Sequence, residues 1–363
     1  MELNSKERWL RTLDLEETDR LVFWPKIFDD SYMRAQQEPF KSMSVREVHD
    51  YAGTDIQIYL PPCVKLRNHD CSCQEVVENG RMIRSFTTPI GTLEGILLYD
   101  ASTDSYHPHK QIVENEKDIK ILTRYFQDTT AEPDMEAVRA GQEQYEILGD
   151  RGLCVSNISE SPLMDFVEWY AGIENGQYLL FDYEEELREL FAQMQRVNVE
   201  STGIMCEYSP ADVLYFTENT STSIISPSQF DAYCHGHLME YADLCRGYDK
   251  RLVFHMCGHL QAVLPLLGDI PFTGIEALST PPIGNTDFFK VRSYLPDKAL
   301  IGGSNCLTWL KPVAEIKKEL AGYLADMESY RGLVVGTGGI IPPGCTPDTL
   351  KEIREFLFAL PMK

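Results

Sequence analysis

The sequence predicts an α/β chain folded as a (β/α)8 barrel, the TIM-barrel architecture, with an N-terminal helical segment and an inserted β-hairpin region. Three observations carry this. Eight short apolar runs begin near residues 21, 55, 152, 211, 251, 272, 298 and 332. Amphipathic helical stretches separate most of them, the pattern of alternating strands and helices. No internal repeat is present, and no GxGxxG follows the first run, so the open dinucleotide-binding sheet, the second choice, lacks its usual signature. A chain of 363 residues lies in the size range of one barrel, and residues 1–363 are read as a single domain.

Each element has a local reason. Asn4 and Glu7 have the spacing of a capping box, with Trp9, Leu10 and Leu13 at helical intervals behind it. Strands follow at LVFWPKI (21–27) and DIQIYL (55–60), the second closed by Pro61 and Pro62. Between 71 and 110 the chain reads differently: Asn79-Gly80, a type I′ turn signal, joins β-rich flanks, so a β excursion is inserted after an early barrel strand. Helical periodicity at 134–148 precedes the strand GLCVSNI (152–158). A long amphipathic helix at 184–206 places Leu187, Leu190, Phe191, Met194 and Val197 on one face before ADVLYFTEN (211–219). Ser226 and Gln229 form a capping box with Pro227 at the first helical position, and the helix is expected to place Phe230, Tyr233, His237, Tyr241 and Leu244 on one stripe. The last strands are RLVFHMC (251–257), FTGIEAL (272–278), KALIGGS (298–304) and GLVVGTG (332–338), and Thr346-Pro347 opens the final helix.

Composition narrows the function. Lys and Arg number 33 against 56 Asp and Glu, a formal net charge of −23 that repels nucleic-acid phosphates and anionic lipid surfaces. The N-terminus lacks the apolar core of a signal peptide and no apolar run has the length of a membrane span, so a soluble, cytoplasmic protein is expected. The ten cysteines are scattered and several lie inside apolar runs, which suits reduced thiols.

The chemistry concentrates at RLVFHMCGHL. Residues two apart on a strand share a side, so His255 and Cys257 are expected to project together at the C-terminal mouth of the barrel. Zinc accepts imidazole nitrogen and thiolate sulfur, and a catalytic site keeps one position open. A third donor has to come from another strand end: Cys345, Cys306 or Glu218. Glu218 also qualifies as a catalytic proton donor or acceptor. Phe23, Trp24, Phe28, Tyr32, Tyr59 and Tyr215, near strand ends, either wall an apolar methylated substrate or belong to the core.

The segments KERWLRTLDLEETDRLVFWP, FTTPIGTL, ISPSQFDAY, FHMCG, LIGGSN and GIIPPGCTPDTLKEI, in that order along nearly the whole chain, resemble the uroporphyrinogen decarboxylase superfamily. Within it, His-x-Cys-Gly is similar to the zinc-dependent methyltransferases that work with corrinoid proteins, the methylcobalamin:coenzyme M type among them. That resemblance implies zinc on His255, Cys257 and a later Cys, for which Cys345 is the match. The match is displaced, since Cys345 follows the Ile-Pro-Pro turn and Gly338 and Gly339 stand before it. It further implies a cobalamin-type corrinoid on a partner protein, O-methyl, N-methyl or thiol substrates, O-demethylase chemistry in the donor direction, and homodimerisation. Two other readings are a metal-free decarboxylase and a non-catalytic barrel subunit of a corrinoid complex. The decarboxylase reading conflicts with WPKIFDDSYMR, where Asp29 and Asp30 stand in place of the basic segment a polycarboxylate requires.

Remaining motifs have ordinary explanations. Cys63, Cys71 and Cys73 form a loose cluster in which Cys71-Ser-Cys73 is too tight for a zinc knuckle, His107-Pro-His109 reads as a solvated loop, and His235 and His237 face apart on a helix. Gly302-Gly303 and Gly336 to Gly339 fit tight turns at the barrel rim better than a phosphate loop.

Overall fold

The structure, a computed structural model, describes residues 2–101 and 105–363. Eight parallel strands form the barrel: β1 (Val22–Trp24), β2 (Ile56–Tyr59), β3 (Gly152–Ile158), β4 (Val213–Thr217), β5 (Arg251–His255), β6 (Gly274–Ser279), β7 (Ala299–Ser304) and β8 (Leu333–Gly336). Their order around the sheet is β1, β8, β7, β6, β5, β4, β3, β2. Between β1 and β2 the ring is closed by two bonds at one residue: Asp55 donates its backbone N–H to Phe23 O at 2.9 Å, and its Oδ2 accepts from Phe23 N at 3.0 Å. This is the (β/α)8 barrel.

Period-two alternation fills its interior. Val22, Trp24, Leu153, Val155, Val213, Tyr215, Val253, Ala299, Ile301 and Val334 form one buried cluster, sealed at the bottom by Trp9 and Leu13. Those two come from the N-terminal helix Ser5–Leu13, which carries the expected Asn4/Glu7 capping box. Trp9 meets Trp24 edge to face at 5.8 Å. A second, larger cluster lies between the outer faces of the strands and the surrounding helices.

The inserted region is a four-stranded antiparallel sheet over Ser72–Glu78, Arg81–Thr88, Gly91–Asp100 and Ser105–Lys110. Its first turn has Asn79 at φ 51° and Gly80 at φ 73°, the two positive values a type I′ turn requires. His107 and His109 lie on the fourth strand of this sheet, not in a loop.

The helix opened by Ser226 departs from expectation in its interior. Its capping box is present, but Pro227–Phe230 runs into a π turn at Asp231–His235 before α-helix resumes over Gly236–Gly247. One residue inserted in the ladder rotates the later side chains about the helix axis. The buried face therefore runs Phe230, Cys234, Leu238, Tyr241, Cys245, while Tyr233, His237 and Leu244 are only half-buried. No helix among the described residues is long and apolar enough to cross a membrane.

Candidate active site at the barrel mouth

Above the apolar interior, the next inward positions carry polar side chains. Lys26, Phe28, Tyr59, Asn157, Tyr215, Thr217 and His255 line a cavity of about 120 Å³ at the C-terminal mouth. Of the six aromatics singled out in the sequence, Phe28, Tyr59 and Tyr215 form this wall, with Phe28 edge-on to Tyr59 at 5.1 Å. Trp24 lies in the core below, Phe23 stacks outward on Trp309, and the Tyr32 hydroxyl donates to Cys345 O at 2.6 Å.

His255 is the last residue of β5 and faces Glu276 on β6, its register partner. Its Nδ1 makes a close hydrogen bond to Glu276 Oε2, while Lys26 Nζ donates to both Glu276 oxygens at 3.1 Å. The backbone helps aim these groups: the β6–β7 register slips between Ile275 and Leu278, and Ala277 sits at φ 70°. Positive φ at a residue with a Cβ costs about 1–3 kcal/mol and collects at functional sites. Burial would raise the pKa of Glu276, but Lys26 and then His255 outweigh it and hold the carboxyl down to about 2. Glu276 is therefore anionic and fixes Nδ1 of His255 as the bonded nitrogen. Nε2 has no protein partner among the described residues.

The strand ends at His255, so the alternation that would carry Cys257 alongside it stops one residue short. Cys257 stands in the following loop, its Sγ 3.8 Å from Asn219 Oδ1. Burial raises its thiol, as do the charges of Glu276 and Glu168, with Lys26 opposing. The same Glu276 thus acts on both His255 and Cys257.

A second group of carboxyls lies next to it, after the neighbouring strand β4, where Asn219 donates its backbone N–H to His255 O at 3.1 Å. Glu218, fully buried after β4, accepts from Ser161 N at 2.9 Å, Ser161 Oγ at 2.8 Å and Thr220 Oγ1 at 3.0 Å. These donors are neutral, and burial prevails: its pKa is pushed up to about 7. Glu168, in a π turn at Phe166–Tyr170, accepts from Asn219 Nδ2 at 3.1 Å, and Asn219 itself is left-handed at φ 49°. Burial raises both Glu160 and Glu168, helped by the charges of Glu168, Asp165 and Glu218 on Glu160 and of Glu218 and Asp165 on Glu168, and one Glu160 oxygen is buried without a partner.

For a zinc ion, the donors fit two positions. A metal-bound histidine commonly gives its other ring N–H to a carboxylate, as His255 does to Glu276, and Cys257 supplies a thiol nearby. The third position is not assembled: Cys345 is buried in the outer apolar cluster with its thiol pushed up to about 12 by burial, and Cys306 is half-buried in the loop after β7. Glu218 is enclosed by its own donors. Among the described residues no group of three His, Cys, Asp or Glu side chains is arranged to hold a metal ion.

Residues 161–358, more than half of the chain, match the sequence pattern of uroporphyrinogen decarboxylase (URO-D). The chain belongs to the uroporphyrinogen decarboxylase family. No curated protein matches it. Among solved structures, a methyltransferase from Methanosarcina mazei aligns over 98% of both chains with a TM-score of 0.63 and 17% identity, a likeness of fold. A putative vitamin-B12 independent methionine synthase from Listeria monocytogenes aligns over 61% of this chain and 68% of its own, with a TM-score of 0.39 and 16% identity. This member of the uroporphyrinogen decarboxylase family has Asp29 and Asp30 exposed at the end of β1, with Asp29 Oδ1 accepting from Ser31 N.

Sequence reasoning missed Lys26 and Glu276. A charged residue inside each of two otherwise apolar strand runs, LVFWPKI and FTGIEAL, was the signal that could have found them.

Proposed function

We propose that this chain is a methyltransferase that moves a methyl group between a small substrate and the cobalt of a corrinoid held by a partner protein. His255 and Cys257 would hold a zinc ion at the mouth. The observation that carries the reading is the bond from His255 Nδ1 to the Lys26-paired Glu276, which leaves Nε2 as the uncommitted ring nitrogen, with Cys257 two residues further along the chain. Bound zinc supplies Lewis acidity toward a methyl donor, or lowers the pKa of a thiol acceptor. A substrate atom would supply a further donor, since Cys345 lies in the outer apolar cluster.

The protein's own groups have defined tasks. Glu276 orients the imidazole, and Lys26 keeps that carboxylate ionised in a dry setting. Glu218, with its pKa near 7, and Glu168, bonded to Asn219, would supply or accept the proton that balances a leaving alkoxide, amine or entering thiol. At ~30 Å³ per water, the 120 Å³ cavity has room for a methyl-bearing group and none for a corrin ring. The ring would rest on the rim, where Phe28, Ile283, Leu307, Leu310 and Ile340 are exposed on loops following the adjacent strands β1, β6, β7 and β8. A cytoplasmic setting and a homodimer accompany this reading.

Metal analysis of protein purified without chelators tests it. About one zinc per chain is expected, lost in both His255→Ala and Cys257→Ala, together with methyl transfer from methylcobalamin to a thiol or from a methyl donor to cob(I)alamin. Metal-free native protein would overturn the zinc assignment. Zinc-replete protein inert with a full panel of donors and acceptors would overturn the reaction.

A further inference from the structure

A second cavity, of about 380 Å³, opens beside the mouth and shares Asn157 with it. Its walls are mostly hydrocarbon and aromatic: Leu66, Phe126, Ile158, Tyr170 and Met205. Asp165 is the one formally charged side chain on this wall. It ends the short helix Pro162–Asp165, and its carboxylate has no hydrogen-bond or ion-pair partner among the described residues. Arg84, whose charge reaches it, is held by Glu75 at 2.7 Å. Burial pushes the Asp165 carboxyl up to about 7, outweighing the opposing charge of Arg84.

A half-buried carboxylate facing hydrocarbon is costly unless paired. Its counterpart must also suit the walls. A hard metal ion seeks six or more oxygen ligands and would exchange its water for one carboxylate and hydrocarbon. An ammonium with carbon substituents meets both demands, since aromatic faces attract such cations and the substituents bury against apolar side chains. Phe126 and Tyr170 stand edge to face, their ring centroids 6.2 Å apart, and offer those rings. At ~30 Å³ per water, the volume admits an organic ion of moderate size.

We propose that this cavity is a binding site for a small organic ammonium ion, its charged head against Asp165, Phe126 and Tyr170 and its carbon substituents against Leu66, Ile158 and Met205. The site is distinct from the mouth and does not depend on methyl transfer, because its test reads binding alone.

Calorimetric titration at constant ionic strength with choline and its neutral carbon analogue, 3,3-dimethylbutan-1-ol, decides it. Choline is expected to bind at least tenfold more tightly than the alcohol. Asp165→Asn is expected to weaken choline at least tenfold and leave the alcohol unchanged. Ser201→Phe, which fills the cavity from its partly exposed wall, is expected to abolish both. The proposal is overturned if choline fails to bind, if the alcohol binds equally well, if Asp165→Asn leaves choline affinity intact, or if choline binding survives Ser201→Phe. Should Asp165→Asn not fold, the two-ligand comparison and Ser201→Phe still decide.

Discussion

Two glutamates at the barrel mouth have nearly the same burial and opposite acidities. Glu276 on β6 is 2% exposed and Glu218 after β4 is 0% exposed, yet the first is held down to about 2 and the second is pushed up to about 7. Desolvation pushes both upward. Lys26 places a full positive charge 3.1 Å from both Glu276 oxygens, whereas Glu218 receives only a backbone N–H, two hydroxyls and a thiol. A formal charge outweighs burial here and neutral donors do not. The strand on one side of β5 therefore carries an anion that positions His255. The strand on the other leads to an acid whose pKa burial raises to about 7.

Removing the cation breaks this contrast most severely. Lys26→Met leaves a buried anion with only His255 opposite and is expected to cost about 3–5 kcal/mol at pH 7, read as a lower urea midpoint. Adding Glu276→Gln should recover much of it. A loss below about 1 kcal/mol would mean that the pair behaves as an ordinary surface bridge. The pH dependence has a defined sign. Glu276 has its folded pKa below the unfolded 4.5, so its contribution is complete above pH 4.5 and disappears as pH falls toward 2. Lys26→Met should flatten the stability profile in that window.

Glu218 titrates with the opposite sign. Its folded pKa lies above 4.5, so it costs nothing at pH 4 and destabilises progressively as pH rises from 4.5 through 7. Glu218→Gln should therefore stabilise the protein by about 3 kcal/mol at pH 8 and change little at pH 4, measured as melting temperature against pH. A uniform shift at both pH values would place the effect in packing instead. The smallest expected change is Ser161→Ala, which removes the 2.8 Å hydroxyl bond to Glu218. It should cost about 1 kcal/mol at pH 8, where the acceptor is ionised, and less at pH 5.

The barrel was legible because its signals are local. Eight apolar runs marked eight strands, the Asn4/Glu7 and Ser226/Gln229 boxes marked two helix starts, and Asn79-Gly80 marked the inserted turn. The π turn at Asp231–His235 was not, since the extra residue is accommodated by packing around Cys234 and leaves no composition signal. His255 was legible at a strand end. Its relation to Cys257 was not, because the strand stops before the alternation reaches the thiol.

The sequence alone determined the strand count, the alternation that fills the barrel, and the arrival of His255 at its mouth, because each depends on neighbours a few residues away. Tertiary structure alone decided which acids carry charge. Lys26 reaches Glu276 across 250 positions of chain, and Ser161 reaches Glu218 across 57, so the electrostatic character of each carboxyl exists only once the ring has closed.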